Sequence, residues 1–88
     1  MKIIVAKQSG LDRIAYINAT RINTFHADKN QYDERIETKI YFDNGKCEIE
    51  GDKTQEIANF ISEEGDSGML NLIGENATRQ SFWAKKGI

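Results

Sequence analysis

The chain holds one histidine and one cysteine, and what those two side chains can do sets the first limit on chemistry. His26 is the sole imidazole base and Cys47 the sole thiol, while Ser67, in Gly65-Asp66-Ser67-Gly68, is the serine most open to being read as a nucleophile. Such a serine works only against a histidine base that a buried carboxylate orients, in a scaffold that also builds an oxyanion hole. A chain of 88 residues is too short for the double barrel that usually carries this arrangement. Ser67 is therefore expected to be a residue of a Gly-flanked loop after a helix, and Cys47, on the apolar face of a strand, a small buried hydrophobe.

Metal and phosphate chemistry find little support. Asp28, Asn30, Asp33 and Glu34 suggest a calcium loop, but its sixth position, where glycine is needed, is Asp33, and its twelfth, where a bidentate Glu is needed, is Lys39. His26 and Asp28 share a strand face and offer two ligands, too few for a site. One Cys and one His exclude a structural zinc of Cys/His type within a single chain. No glycine-rich phosphate loop is present. The paired carboxylates Asp33/Glu34, Glu48/Glu50 and Glu63/Glu64 are expected on exposed positions, where they stay solvated and do no acid–base work. The expectation is a non-enzyme with no catalytic residue, metal or cofactor.

The C-terminal segment carries the sole tryptophan. Arg79, Phe82, Trp83, Lys85 and Lys86 interleave aromatic rings with cations. They read in two ways: the rings complete a thin core by folding back onto the sheet, or the segment contacts a partner, as aromatics anchor protein interfaces and aromatics with cations hold single-stranded nucleic acid.

These groups are positioned by short elements. Lys2 to Lys7 is β-branched and ends in the turn residues Gln8-Ser9-Gly10-Leu11-Asp12. Arg13 to Ile17 resumes an extended pattern, and Ile17 and Ile22 fall out of phase, so a bulge or short turn is expected at Asn18-Ala19-Thr20. Ala27 to Asp33 reads as a loop. Ile36, Thr38, Ile40 and Phe42 alternate with Glu37, Lys39, Tyr41 and Asp43, and Asn44-Gly45 follows, the dipeptide of a type I′ hairpin. That turn sets Asp43 opposite Lys46, Phe42 opposite Cys47, Ile40 opposite Ile49 and Lys39 opposite Glu50. Asp52 with Gln55 suggests a capping box for a helix over 53–63, with Ile57, Phe60 and Ile61 as its apolar stripe. Two acids, Glu63 and Glu64, oppose the dipole at its end. Met69 to Ile73 reads as a further strand. The repeated Asn-Ala-Thr-Arg at 18–21 and 76–79 extends to no larger unit.

The composition, 39% hydrophobic and 30% charged, is that of a folded globular chain, and no apolar run is long enough to span a bilayer. A cytoplasmic protein is expected. Net charge is −2, with the acids concentrated between residues 46 and 74. Tyr16-Ile17-Asn18, Ile22 and Asn44-Gly45-Lys46, in this order, resemble small flagellar proteins of the FlbD type over residues 1–62. The Asp28–Tyr32 loop and the C-terminal third depart from that pattern, and no functional residue is carried across.

The architecture expected is α+β: an antiparallel meander of four to five strands with one helix on a face, a single domain over 1–74 and a tail or docking segment over 75–88. Its core would be Ile4, Ile14 or Tyr16, Ile22, Ile36, Ile40, Phe42, Ile49, Ile57, Phe60 and Ile61. A thin sheet under one helix leaves strand edges to be covered. The function expected is a protein-binding or regulatory module, dimeric, acting through a sheet edge or the Arg79–Lys86 segment. The alternatives are single-stranded nucleic-acid binding by that segment, or an acidic decoy over 48–66 for a nucleic-acid-binding protein.

Overall fold

Every strand and the helix expected from local pattern form, but they pair differently from a single meander. The structure, a computed structural model, describes residues 1–32, 34–65, 67–73 and 78–80. Its elements are β1 (Lys2–Lys7), β2 (Ile14–Asn18), a 3-10 turn (Ala19–Arg21), β3 (Thr24–Lys29), β4 (Ile36–Phe42), β5 (Gly45–Glu50), α1 (Thr54–Ser62), β6 (Gly68–Asn71) and β7 (Thr78–Gln80). The α+β class holds. The strands divide into a four-stranded sheet of order β2-β1-β6-β7 and a three-stranded sheet of order β3-β4-β5.

The split originates at Asn18. Its side-chain oxygen accepts hydrogen bonds from the Thr20 backbone N–H (3.1 Å) and hydroxyl (2.7 Å), so the side chain ends β2 and opens the 3-10 turn in place of another ladder pair. The chain then leaves the first sheet, and β3 pairs with β4 instead of β2. On its other side β1 takes β6 in parallel, a pairing between strands more than sixty residues apart that no local turn can announce. The two sheets meet where Gln8 bridges Ile49 and the Ser9 N–H donates to the Glu48 carbonyl at 2.8 Å.

Register explains the core. Ile4 lies between Ile17 of β2 and Leu70 of β6, and Ala6 faces Ala15. Ile4, Ala6, Ile17, Ala19, Ile40, Ile49, Ile57, Phe60, Leu70 and Leu72 form one buried cluster, with Ile22, Phe25, Phe42 and Cys47 packed at its margin. Of Ile14 and Tyr16, one or the other of which is expected inside, both are exposed, by 48% and 71%, because the inward phase of β2 belongs to Ala15 and Ile17. Ile36 and Ile61 are also exposed, the first at the end of β4 and the second beyond the inward stripe of α1.

The hairpin β4–β5 keeps the expected faces but slips by two residues. Phe42 pairs with Gly45, Ile40 with Cys47, Thr38 with Ile49 and Lys39 with Glu48. A two-residue shift leaves every side chain on its original face, and the Lys39–Glu48 ion pair at 3.9 Å replaces the expected Lys39–Glu50 one. The loop is Asp43-Asn44. Neither Asn44 nor Gly45 has the positive φ of a type I′ turn, and Asp43 accepts at 2.7 Å from the side-chain amide of Asn23, just before β3. The expected loop at Ala27–Asp33 is shorter: β3 continues to Lys29, and Asn30 closes on Arg35 (2.7 Å) around a turn with Glu34 at φ 61°.

Helix α1 has nine residues, too few for stability in isolation, so its ends and buried face hold it. Ile57 and Phe60 are buried. Asp52 does accept from Thr54, by backbone N–H at 3.1 Å and hydroxyl at 2.7 Å, but Gln55 bonds Asn59 instead of completing a capping box. Thr38, fully buried on β4, ties the helix start to the sheet: its hydroxyl donates to the Gly51 carbonyl (2.6 Å) and accepts from the Lys53 N–H (2.7 Å). At the other end, the buried Lys2 ammonium donates to the carbonyls of Phe60 (2.8 Å), Ile61 (3.5 Å) and Glu63 (2.8 Å) and lies 5.3 Å from the Phe60 ring centre. A cation at the negative end of the dipole answers the two acids there.

Candidate functional site

The groups with catalytic potential are not assembled. Ser67 stands just before β6 and accepts a hydrogen bond from the N-terminal ammonium at 3.3 Å. His26 is exposed on β3 and stacks on Tyr41, ring centres 5.6 Å apart. No hydrogen bond joins Ser67 and His26 among the described residues. Cys47 is half-buried on β5. Desolvation pushes its thiol pKa up, a contact from the Gln8 amide at 3.8 Å opposes this, and Glu48 adds to it. The thiol therefore stays protonated at neutral pH and is a poor nucleophile.

One of the acids is likewise committed. Asp28, Glu37 and Glu50 lie side by side across the second sheet, yet Glu37 is buried and accepts hydrogen bonds from the Ser9 hydroxyl and, at 3.0 Å, the Asn30 amide. This buried carboxylate fastens the β1–β2 loop to β4. Among the described residues, no group of three or more His, Cys, Asp or Glu is placed to hold a metal ion, and no helix is long and apolar enough to cross a membrane. Of the residues expected to bind a partner, Arg79 lies in β7, in register with Leu70. Phe82, Trp83, Lys85 and Lys86 lie outside the described residues.

What the fold does present is the outer edge of β2. The Gln8 N–H donates to the Arg13 carbonyl at 2.9 Å, which makes Gln8 and Arg13 a hydrogen-bonded pair of the β1–β2 ladder. Such pairs alternate along antiparallel strands, so Ala15 and Ile17 direct their backbone groups toward β1, and Ile14 and Tyr16 direct theirs outward. β2 ends its sheet, and those outward groups meet no strand among the described residues. Their side chains, Ile14 and Tyr16, are among the most exposed large apolar groups described.

Beside this edge opens a cleft of about 420 Å³ between β2 and the β4–β5 turn. Its walls include Ala15, Ile17, Phe42 and Cys47, all packed against the core or part of it. Arg21, Asp43 and Asn44 stand at its rim. Arg21 is exposed and makes no ion pair with any described residue. An apolar floor with a few polar groups around it is the make-up of a binding site, and a free strand edge along one wall suits an extended peptide.

The expected sheet-edge contact named no particular strand, because edge status depends on sheet order. One signal was available in the sequence: among the described strands, Ile14-Ala15-Tyr16-Ile17-Asn18 and the short Gly68–Asn71 carry no charged residue. No family model, curated protein or solved structure matches the chain, so the partial resemblance to the small flagellar proteins is accompanied by no family match.

Proposed function

We propose that this chain is a small non-enzymatic protein-binding module that takes up an extended strand along β2. The observation that carries the reading is the outward-facing backbone of Ile14 and Tyr16 beside the cleft floored by Ala15, Ile17, Phe42 and Cys47. Strand addition supplies affinity through main-chain hydrogen bonds, and alternate side chains entering a pocket supply selectivity. The protonated Cys47 thiol, the stacked His26 and the fastened Glu37 favour contact over chemistry at this end of the molecule.

The test compares immobilised wild-type protein with Tyr16→Pro. Proline at this position removes an N–H that points away from β1, so the β1–β2 ladder keeps its bonds while the edge loses a donor. Polypeptides retained by the wild type, lost by the variant, and able to slow hydrogen exchange at Tyr16 when added back in pure form are the expected result. Retention of the same set by both proteins refutes the reading.

A further inference from the structure

We infer that the strand received by β2 is the C-terminal end of a polypeptide, running parallel to β2, with its last side chain, an apolar one, in the cleft and its terminal carboxylate on Arg21. This rests on the edge reading above and adds to it which end of a chain is bound. Main-chain pairing along an edge is blind to sequence, so the occupant is selected by the groups around the edge.

Charge selects the carboxylate. Arg21 is the one cation among the described residues that line the cleft. It is exposed and has no carboxylate partner among those residues, although an acid, Asp43, lines the same cleft. Asp43 is instead taken up by the Asn23 side-chain amide at 2.7 Å. The arginine fork matches the two oxygens of a carboxylate, and a terminal carboxyl, with an ordinary pKa of about 3.5, is charged at neutral pH.

The course of β2 selects the terminus. The strand runs from Ile14 to Asn18, whose side chain opens the 3-10 turn that carries Arg21. The pairing edge therefore stops beside the cation. A guest chain that runs on past this point meets no further strand edge, whereas one that ends here pairs along its whole bound length. In a parallel guest that end is a carboxylate; in an antiparallel one it is an ammonium, which Arg21 repels.

The cleft selects the side chain. Alternate side chains of an added strand fall on the same face as Ala15 and Ile17. Alanine at one of these two inward positions leaves room, and Phe42 and Cys47 stand across the cleft. The volume of about 420 Å³ lies within the range of small-ligand sites and accepts a large apolar group. The protonated Cys47 thiol adds no charge to that wall.

The experiment passes two randomised hexapeptide pools over the immobilised protein, one with free C-terminal carboxylates and one with amidated ends. Retained peptides are identified by mass spectrometry, and the tightest are titrated as acid and as amide. The wild type is expected to enrich the acid pool for Val, Ile, Leu, Met or Phe at the last position, and amidation should weaken binding by about tenfold or more. Arg21→Gln, at an exposed residue, should bring the acids down to the level of their amides and leave the amides unchanged.

Equal binding of acid and amide overturns the inference, as does an acid preference that survives Arg21→Gln. Amidated peptides with an internal Asp or Glu that bind as tightly as the free acids also overturn it, because Arg21 then serves an acidic side chain. If neither pool is retained the inference falls, and the edge reading is decided separately by the Tyr16→Pro comparison, which uses long polypeptides. A free acid bound with full affinity by Tyr16→Pro overturns both, since the cleft then holds the peptide without the edge.

Discussion

Thr38→Val tests whether the helix is held to the sheet through one buried hydroxyl. Valine has nearly the same shape as threonine, so packing against Ile49 across the hairpin is kept and only the two hydrogen bonds go: to the Gly51 carbonyl at 2.6 Å and from the Lys53 N–H at 2.7 Å. A buried polar group left without a partner costs about 1–3 kcal/mol. Both orphaned groups are backbone atoms of half-buried residues, so water recovers part of that, and replacing a buried hydroxyl with a methyl returns about 1 kcal/mol. The net expectation is a loss of about 2–3 kcal/mol, a large part of the roughly 5–15 kcal/mol of a typical domain. At about 4–8 °C per kcal/mol for a chain of this length, the thermal midpoint should fall by roughly 10–20 °C. Urea unfolding followed by far-ultraviolet circular dichroism should show a lower midpoint with an unchanged slope. Thr38→Ser, which keeps both bonds and loses a methyl, should cost less than Thr38→Val. A loss below about 0.5 kcal/mol for valine, the ordinary scatter of surface substitutions, or the reverse order of the two variants, would refute the account.

Lys2→Met keeps the apolar stem and deletes the ammonium that closes α1, so stability in urea should drop by about 1–2 kcal/mol, with exchange of the amides of 60–63 accelerating ahead of global unfolding. Because Cys47 has a raised thiol pKa, chiefly from desolvation, its favourable contribution is fully present below the unfolded thiol's pKa and is lost as pH rises through the folded value. Iodoacetamide should therefore modify Cys47 more slowly than a free thiol at pH 7, and stability should decline in the alkaline range above about pH 8.5 by an amount that Cys47→Ala removes. Glu34 sits at φ 61°, a conformation that costs a side chain about 1 kcal/mol; Glu34→Gly should raise the urea midpoint slightly, and Glu34→Val should lower it. Asp52 has a depressed pKa from its bonds with Thr54, side chain first and backbone second, so its contribution is present above the ordinary carboxylate range and disappears on acidification through the lowered value; Asp52→Asn should flatten that part of an acid-unfolding profile.

What the sequence reveals depends on how local each cause is. The alternation from Ile36 to Phe42 and the turn residues after it place β4 and β5 with the correct faces. The two-residue slip is invisible to the pattern, since both registers bury the same side chains, and the contact from Asn23 to Asp43 comes from the segment that leads into β3. Ile14-Ala15-Tyr16-Ile17 is apolar at every position, so period two selects neither phase. Ile4 and Leu70 decide it by accepting Ile17, and size then misleads, because Ala15 goes in and Tyr16 stays out. Lys2 looks like an ordinary flanking cation until α1, some sixty residues later, brings its terminal carbonyls to it. Thr38 and Glu37 are polar residues whose partners are likewise distant. The site suffers most from this. Whether β2 is an edge follows from β6 taking the other side of β1, and no composition or turn signal encodes that choice.

The exposure of β2 follows from how β1 distributes its hydrogen bonds. Even-numbered residues of β1 serve β2. Odd-numbered ones serve β6, as when Val5 accepts from the Leu72 N–H at 2.7 Å, and beyond the strand Ser9 reaches β5. A central strand so fully used leaves its outer neighbour with one side that no described strand pairs with. Edge strands are commonly shielded by lysine, proline or a bulge, and β2 has none of these; an uncharged, β-prone segment of this kind invites uncontrolled pairing when left open. The fold could have met that hazard with a lysine at position 16, whose outward, largely exposed setting would accept one without disturbing the ladder to β1. Tyrosine there instead supplies a flat apolar surface and leaves the backbone accessible, which suits a strand that receives another more than one that repels it.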